Sequence, residues 1–135
     1  MTENKTKPTN DSVDVFIHNV TPEKRHEDAV VMLKIMRQAT GVEPLMWGTM
    51  VGFGMHHYKY ESGREGDTFA VGFAPRKAAL VLYGVLYYEQ NADRMTDLGP
   101  VTTGKSCIYI KDLGKLNLPL MIQLITRSFA QNNNA

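Results

Sequence analysis

Gly99-Pro100-Val101-Thr102-Thr103-Gly104-Lys105-Ser106, running on into Cys107-Ile108-Tyr109-Ile110, is the stretch whose reading decides the fold. Gly99 to Ser106 satisfies the phosphate-loop pattern G-x-x-x-x-G-K-[ST] letter for letter. A working loop of that kind leaves a buried strand, wraps phosphates in backbone N–H groups and opens a helix whose positive end faces the anion. Both flanks argue against it. Cys107 to Ile110 is a short run of β-branched and aromatic types, followed by Lys111 and the turn-like Asp112-Leu113-Gly114, and this reads as a strand. Upstream, Asn91 to Leu98 is polar and closer to a short helix. Only a short tail of the 135 residues follows, too little for several βα units. No apolar run ending in a carboxylate follows to hold Mg²⁺. The match is a decoy, and the chain reads as a binding protein rather than an enzyme. What survives is Lys105 beside Gly104, a candidate contact for an anion.

Outward from that strand, the middle of the chain keeps a strand-like period. Leu45-Met46-Trp47 is a short apolar stretch bracketed by Pro44 and Gly48, and Thr49 to Val51 follows it. Phe53 to Tyr60 and Thr68 to Ala74 flank Glu61-Ser62-Gly63-Arg64-Glu65-Gly66-Asp67, a hydrophilic hairpin tip. In the second of these strands the alternation puts Phe69, Val71 and Phe73 on one face, and Thr68, Ala70, Gly72 and Ala74 on the other. Ala78 to Tyr83 and Gly104 to Ile110 supply two more strands, joined by a helix or irregular crossover from Val85 to Leu98.

Both ends are helical. Asp11 or Ser12 caps a first helix with Val13, Phe16, Ile17 and Val20 on one face. Thr21 as N-cap and Pro22 at the first helical position open a second, with Ala29, Met32, Leu33 and Met36 as its buried stripe and Gly41 as its stop. Asn117 and Pro119 open the last helix, which buries Met121, Leu124, Ile125 and Phe129. The expected fold is α+β: two N-terminal helices, a central antiparallel sheet of about four to five strands and a C-terminal helix. One domain spans 11–130, with flexible ends at 1–10 and 131–135.

Composition narrows the partners. A formal charge of +1 argues against a dedicated nucleic-acid binder. The single Cys107 forms no internal disulfide and fits a reducing compartment. The polar start, Met1 to Pro8, lacks the apolar segment of a secretory signal, and no apolar run approaches membrane-spanning length. A cytoplasmic location without membrane contact is expected.

The order of landmarks resembles the YdhG-like family, small bacterial domains of largely unknown function. The residues that carry the resemblance are Thr21-Pro22-Glu23, Met46-Trp47-Gly48-Thr49-Met50, Val81-Leu82-Tyr83-Gly84 and Thr103-Gly104-Lys105-Ser106-Cys107-Ile108-Tyr109. It extends from about Ser12 to Phe129 and departs from the family's commonest form at Val85 to Pro100 and at the charged hairpin tip. The resemblance implies an α+β fold, no established catalytic reaction and no established cofactor. Some relatives carry the label of frataxin-like iron chaperone, which makes intracellular iron delivery an alternative function; a protein-interaction module using the tyrosine-rich segment is another.

Candidate site residues follow. Trp47, with Thr49 two residues on, lines a pocket with its indole N–H toward a ligand, or is a core-edge aromatic whose N–H meets a backbone carbonyl. Lys105 with Gly104 holds an anion, or is a solvated lysine at a strand start. Together, Trp47, Thr49, Gly104 and Lys105 form the candidate site for an anionic small molecule. Glu23, His26 and Glu27, with Asp28, offer carboxylate and imidazole ligands for iron; acidic residues in a first helical turn also favour the helix dipole. His56 and His57 point to opposite faces of a strand, so one of them joins Glu61, Glu65 or Asp67 at most. Cys107 shares its face with Lys105 and Tyr109 and reads first as a small buried hydrophobe. Tyr83, Tyr87 and Tyr88 read as sheet-edge packing, or as a surface for a ligand or a second copy in a homodimer.

Overall fold

The computed structural model describes residues 8–59, 61–87, 89–104 and 106–133. Helix α1 (Val13–His18) is capped by Ser12, whose Oγ accepts from the Val15 N–H at 3.2 Å. Helix α2 (Glu23–Thr40) begins one residue later than the sequence suggests. Pro22, extended at φ −70° and ψ 178°, is itself the N-cap, and its carbonyl takes the first helical bond from His26. Thr21 therefore makes no cap. Gly41 ends the helix in the left-handed region at φ 74°, where a glycine carries no Cβ penalty. Ala29, Met32, Leu33 and Met36 are buried as expected from their spacing. Helix α4 (Leu118–Asn132) is capped by the Asn117 side chain, which accepts from Leu120 N–H at 3.1 Å.

Nine strands lie between and around these helices among the described residues: β1 (Pro8–Thr9), β2 (Leu45–Trp47), β3 (Met50–Phe53), β4 (His56–Lys59), β5 (Glu65–Thr68), β6 (Val71–Pro75), β7 (Leu80–Tyr83), β8 (Thr102–Thr103) and β9 (Cys107–Ile110). Seven form one antiparallel sheet in the order β1-β2-β3-β6-β7-β9-β8, and β4-β5 form a separate hairpin. The fold is α+β, with a larger sheet than the expected four or five strands. The two extra edge strands have two residues each, too short to leave a periodic signal. The N-terminal end is tied down from Pro8 by pairing with β2, and α4 continues to Asn132, so neither expected frayed end starts where the sequence reading placed it.

The two long strands expected around the hairpin tip both break. Gly54, at φ 73°, ends β3, and Phe69-Ala70 separates β5 from β6. This break overturns one expected face assignment. Val71 and Phe73 do point to the helices, but Phe69 lies across Gly52 and Gly72 on the opposite face. A Cβ on Gly72 would sit 2.7 Å from Phe69 Cε1 and 2.6 Å from the Val51 carbonyl oxygen, and one on Gly52 would sit 2.7 Å from Phe69 Cβ. The small-residue surface expected here is the seat of a buried phenyl ring.

Register fixes the helix-facing side. Met46, Val51, Phe73, Leu82 and Ile108 are successive cross-strand partners, and all are buried in one core with residues of α1, α2 and α4. The crossover between β7 and β8 comprises 3-10 turns at Val85–Tyr87 and Glu89–Arg94 and helix α3 (Met95–Leu98). Buried Asn91 ties it to α4: its Nδ2 donates to the Val85 and Leu124 carbonyls and to Ser128 Oγ, at 2.9, 3.1 and 2.9 Å. Near the end of α4, Asn132 Nδ2 donates to the Ala70 and Gly84 carbonyls, both at 3.0 Å. A buried carbonyl left unpaired costs about 1–3 kcal/mol, so this amide underwrites the strand break.

Gly72→Ala is expected to lower stability by about 1–3 kcal/mol in urea or thermal melts, because its Cβ collides with rigid backbone as well as with Phe69.

Candidate functional site

The second face of the sheet carries the alternate residues of each strand: Trp47, Met50, Gly52, Gly72, Ala74, Val81, Tyr83, Cys107 and Tyr109. An aromatic row crosses it. The rings of Trp47 and Phe69 meet edge to face at 5.7 Å, and those of Phe69 and Tyr83 at 6.0 Å. Tyr83 pairs in register with Cys107, and Tyr109 stands two residues further on the same face. The row passes from fully buried to open: Trp47 is 1% exposed, Phe69 5%, and Tyr109 38%.

Trp47 sits at the closed end. Among the described residues its indole Nε1 has no hydrogen-bond partner, so none of their backbone carbonyls meets it as considered from sequence. Thr49 is exposed in the β2–β3 turn, where its Oγ1 receives a long 3.4 Å contact from Arg76 Nη1. Gly104 lies in the β8–β9 turn at the far edge of the sheet. Three strands, β3, β6 and β7, stand between β2 and β9, which separates them by about 19 Å at normal strand spacing. The structure therefore does not gather Trp47, Thr49 and Gly104 into one pocket. Strand order, invisible to local periodicity, decides this. The Gly104 N–H donates to the Cys107 carbonyl at 2.9 Å, so it is spent closing its own turn. Lys105 lies outside the described residues. The Gly99–Ser106 stretch follows α3, contains β8 and leads into β9, which is not the strand–loop–helix order of a phosphate loop.

A cleft of about 350 Å³ opens beside that stretch. Pro100, Val101 and Thr102 line it, together with Tyr109, Lys111, Asp112 and Lys115. Thr102 and Tyr109 are cross-strand partners, and Lys111 follows Tyr109 by two residues, so pairing and pleat bring them to one side of the edge. Asp112 turns the chain toward Lys115, its Oδ1 accepting from the Gly114 N–H at 3.1 Å. The same oxygen accepts from Lys24 Nζ at 3.0 Å, and Lys24 also reaches Asp28 at 3.1 Å. Asp28 in turn pairs with buried Arg25 at 2.9 Å. Hydrogen bonding to Lys24 holds the Asp112 carboxyl below its ordinary 3.8, and the bond to Asp112 raises Lys24 above 10.5. Both are charged at neutral pH. Proximity of Cys107 pushes the Tyr109 phenol above 10.0, which keeps the ring neutral there.

Lys111, Lys115 and Asp112 were not singled out by sequence. The signal that could have found them was the Tyr109/Lys111 alternation followed by an Asp-x-Gly turn into Lys115. The positions read as metal ligands behave differently. Glu23 and Glu27 are exposed, and His26 Nδ1 donates to the Ile17 carbonyl at 2.9 Å, turning the ring toward α1. His57 is the histidine that joins the hairpin acids: Nδ1 is 2.8 Å from Asp67 and Nε2 3.8 Å from Glu65. Among the described residues, no group of three or more His, Cys, Asp or Glu is placed to hold a metal ion. No helix among them is long and apolar enough to cross a membrane. Comparison with protein-family models, curated proteins and solved structures gave no match.

Two measurements test this geometry. Trp47 is the one tryptophan, so native emission is expected to be blue-shifted and resistant to acrylamide quenching, with both properties lost on unfolding. For the ion pair, a depressed carboxyl pKa stabilises the fold above its unfolded value and loses that contribution as pH falls through the folded value. Asp112→Asn keeps an acceptor for the Gly114 N–H and is expected to be less stable than wild type at pH 7. The difference shrinks as pH falls below 3.8. In Lys24→Ala, the Asp112 carboxyl pKa read by NMR rises toward that ordinary value.

Proposed function

We propose that this chain is a binding protein, not an enzyme, for a small anionic molecule taken in the cleft at the β8–β9 edge. The observation that supports it is the charge balance around the cleft. The charged side chains that line the cleft are Lys111, Lys115 and Asp112, and Asp112 is engaged from outside the cleft by Lys24. Among the described residues, no carboxylate lies within ion-pair distance of Lys111 or Lys115. Two ammonium groups beside a threonine hydroxyl attract an anion and offer it charge-assisted hydrogen bonds. The volume falls at the small end of ligand sites, which span about 300–1,000 Å³. This reading keeps the anionic ligand inferred from sequence and moves its contacts from the Trp47 turn to the lysines that follow β9. The landmark order that resembles the YdhG-like family agrees with a binding role and names no reaction.

Isothermal titration with phosphate, pyrophosphate and citrate tests the proposal. At least one anion is expected to bind, and Lys111→Ala and Lys115→Ala are each expected to weaken it by about tenfold, the scale of one lost charge-assisted hydrogen bond. Absence of binding by every anion, or binding indifferent to both substitutions, overturns it.

A further inference from the structure

The cleft has two chemically different parts. Lys111, Lys115 and the Thr102 hydroxyl make a cationic, hydrogen-bonding part, whereas Pro100, Val101 and the Tyr109 ring make an apolar one. An inorganic anion uses only the first. Tyr109 is the open end of the aromatic row and leaves a large share of its ring to solvent. That ring is also held in place. A Cβ on Gly104 would stand 3.1 Å from Tyr109 Cε2, so the absent side chain lets the ring lie against the turn, and Cys107 flanks it on the same face. A fixed, exposed ring beside apolar walls is a stacking surface that costs little side-chain entropy when a ligand arrives. The charge count points to the other end of the ligand. Two positive charges remain after the local ion pairs are formed, which suits a doubly charged group better than a single carboxylate. A phosphate monoester is such a group near neutral pH, since its second ionisation lies near pH 6.

We infer that the cleft takes a phosphate monoester bearing a planar aromatic or heteroaromatic ring. The ring stacks on Tyr109, and the phosphate sits between Lys111 and Lys115. This rests on the anion-binding reading above and adds the ring to it. The cleft volume fits one ring and one phosphate group. No phosphate-loop geometry is involved, because the Gly104 N–H is already bonded within its turn.

The test is equilibrium titration of the full chain at fixed ionic strength with adenosine 5′-monophosphate, ribose 5-phosphate, inorganic phosphate and adenosine. Adenosine monophosphate is expected to bind about tenfold or more tighter than ribose 5-phosphate, the scale of one stacking contact. Adenosine alone is expected to bind weakest. Tyr109→Leu erases the advantage of the ring-bearing ligand, and Tyr109→Phe keeps it; Lys111→Ala weakens both phosphates alike. Equal affinity for adenosine monophosphate and ribose 5-phosphate overturns the ring inference and leaves anion binding standing. Failure of all three phosphate ligands to bind overturns the phosphate-monoester inference, and failure of pyrophosphate and citrate as well overturns the anion reading. The ligand comparison uses the unaltered chain, so it decides the question even if a Tyr109 variant folds poorly.

Discussion

One cross-strand row, Met46–Val51–Phe73–Leu82–Ile108, is the constraint on which the rest of this structure depends. Side chains alternate along a strand, so a slip of one residue at any pairing would turn a buried member of this row away from the helices. With the row in place, the helices bury one face of the sheet and the intervening residues are committed to the other. The aromatic row from Trp47 to Tyr109 is the counterpart of that choice. Its packing depends on two glycines, because Phe69 occupies the space that side chains at Gly52 and Gly72 would fill. The break at Phe69-Ala70 lets this phenyl ring change faces, and the Asn132 amide satisfies the Ala70 carbonyl that the break exposes.

The cleft lies where three separate stretches of chain meet. Strand pairing supplies Thr102 and Tyr109, the turn after β9 supplies Asp112 and Lys115, and Lys24 in the first turn of α2 reaches Asp112 from outside the cleft. Lys24 is half exposed, so its ion pair with Asp112 adds little to stability. Its larger effect is electrostatic. By engaging Asp112 it leaves Lys111 and Lys115 with a net positive field at the sheet edge.

The helices were legible because each carries local chemistry of its own: the Ser12 and Asn117 caps, the Gly41 stop and the 3.6-residue apolar stripe. Strands β2, β6, β7 and β9 were legible in type through β-branched and aromatic runs. The edge strands β1 and β8 were not, since two residues cannot show a period. Phe69 was placed on the face of Val71 and Phe73 because alternation assumes an unbroken strand. Thr21 was an acceptable cap by residue type, yet the extended backbone at Pro22 put the helix start one residue later. In the candidate site, Gly104 proved to be a turn residue and Trp47 a buried one. The lysines that line the cleft were passed over because isolated surface lysines are common.

By itself the sequence determined the α+β composition, the Ser12 and Asn117 caps, the Gly41 stop, the buried stripes and the strand that follows Ser106 and disqualifies the phosphate-loop match. These are properties of near neighbours in the chain, set by side-chain period, capping and turn chemistry. Only the tertiary structure decided the strand order, the distance between Trp47 and Gly104, and the meeting of Lys24 with Asp112. Those depend on which strands pair across long sequence separations. That choice is made by burying all the apolar faces at once, and no local window contains it.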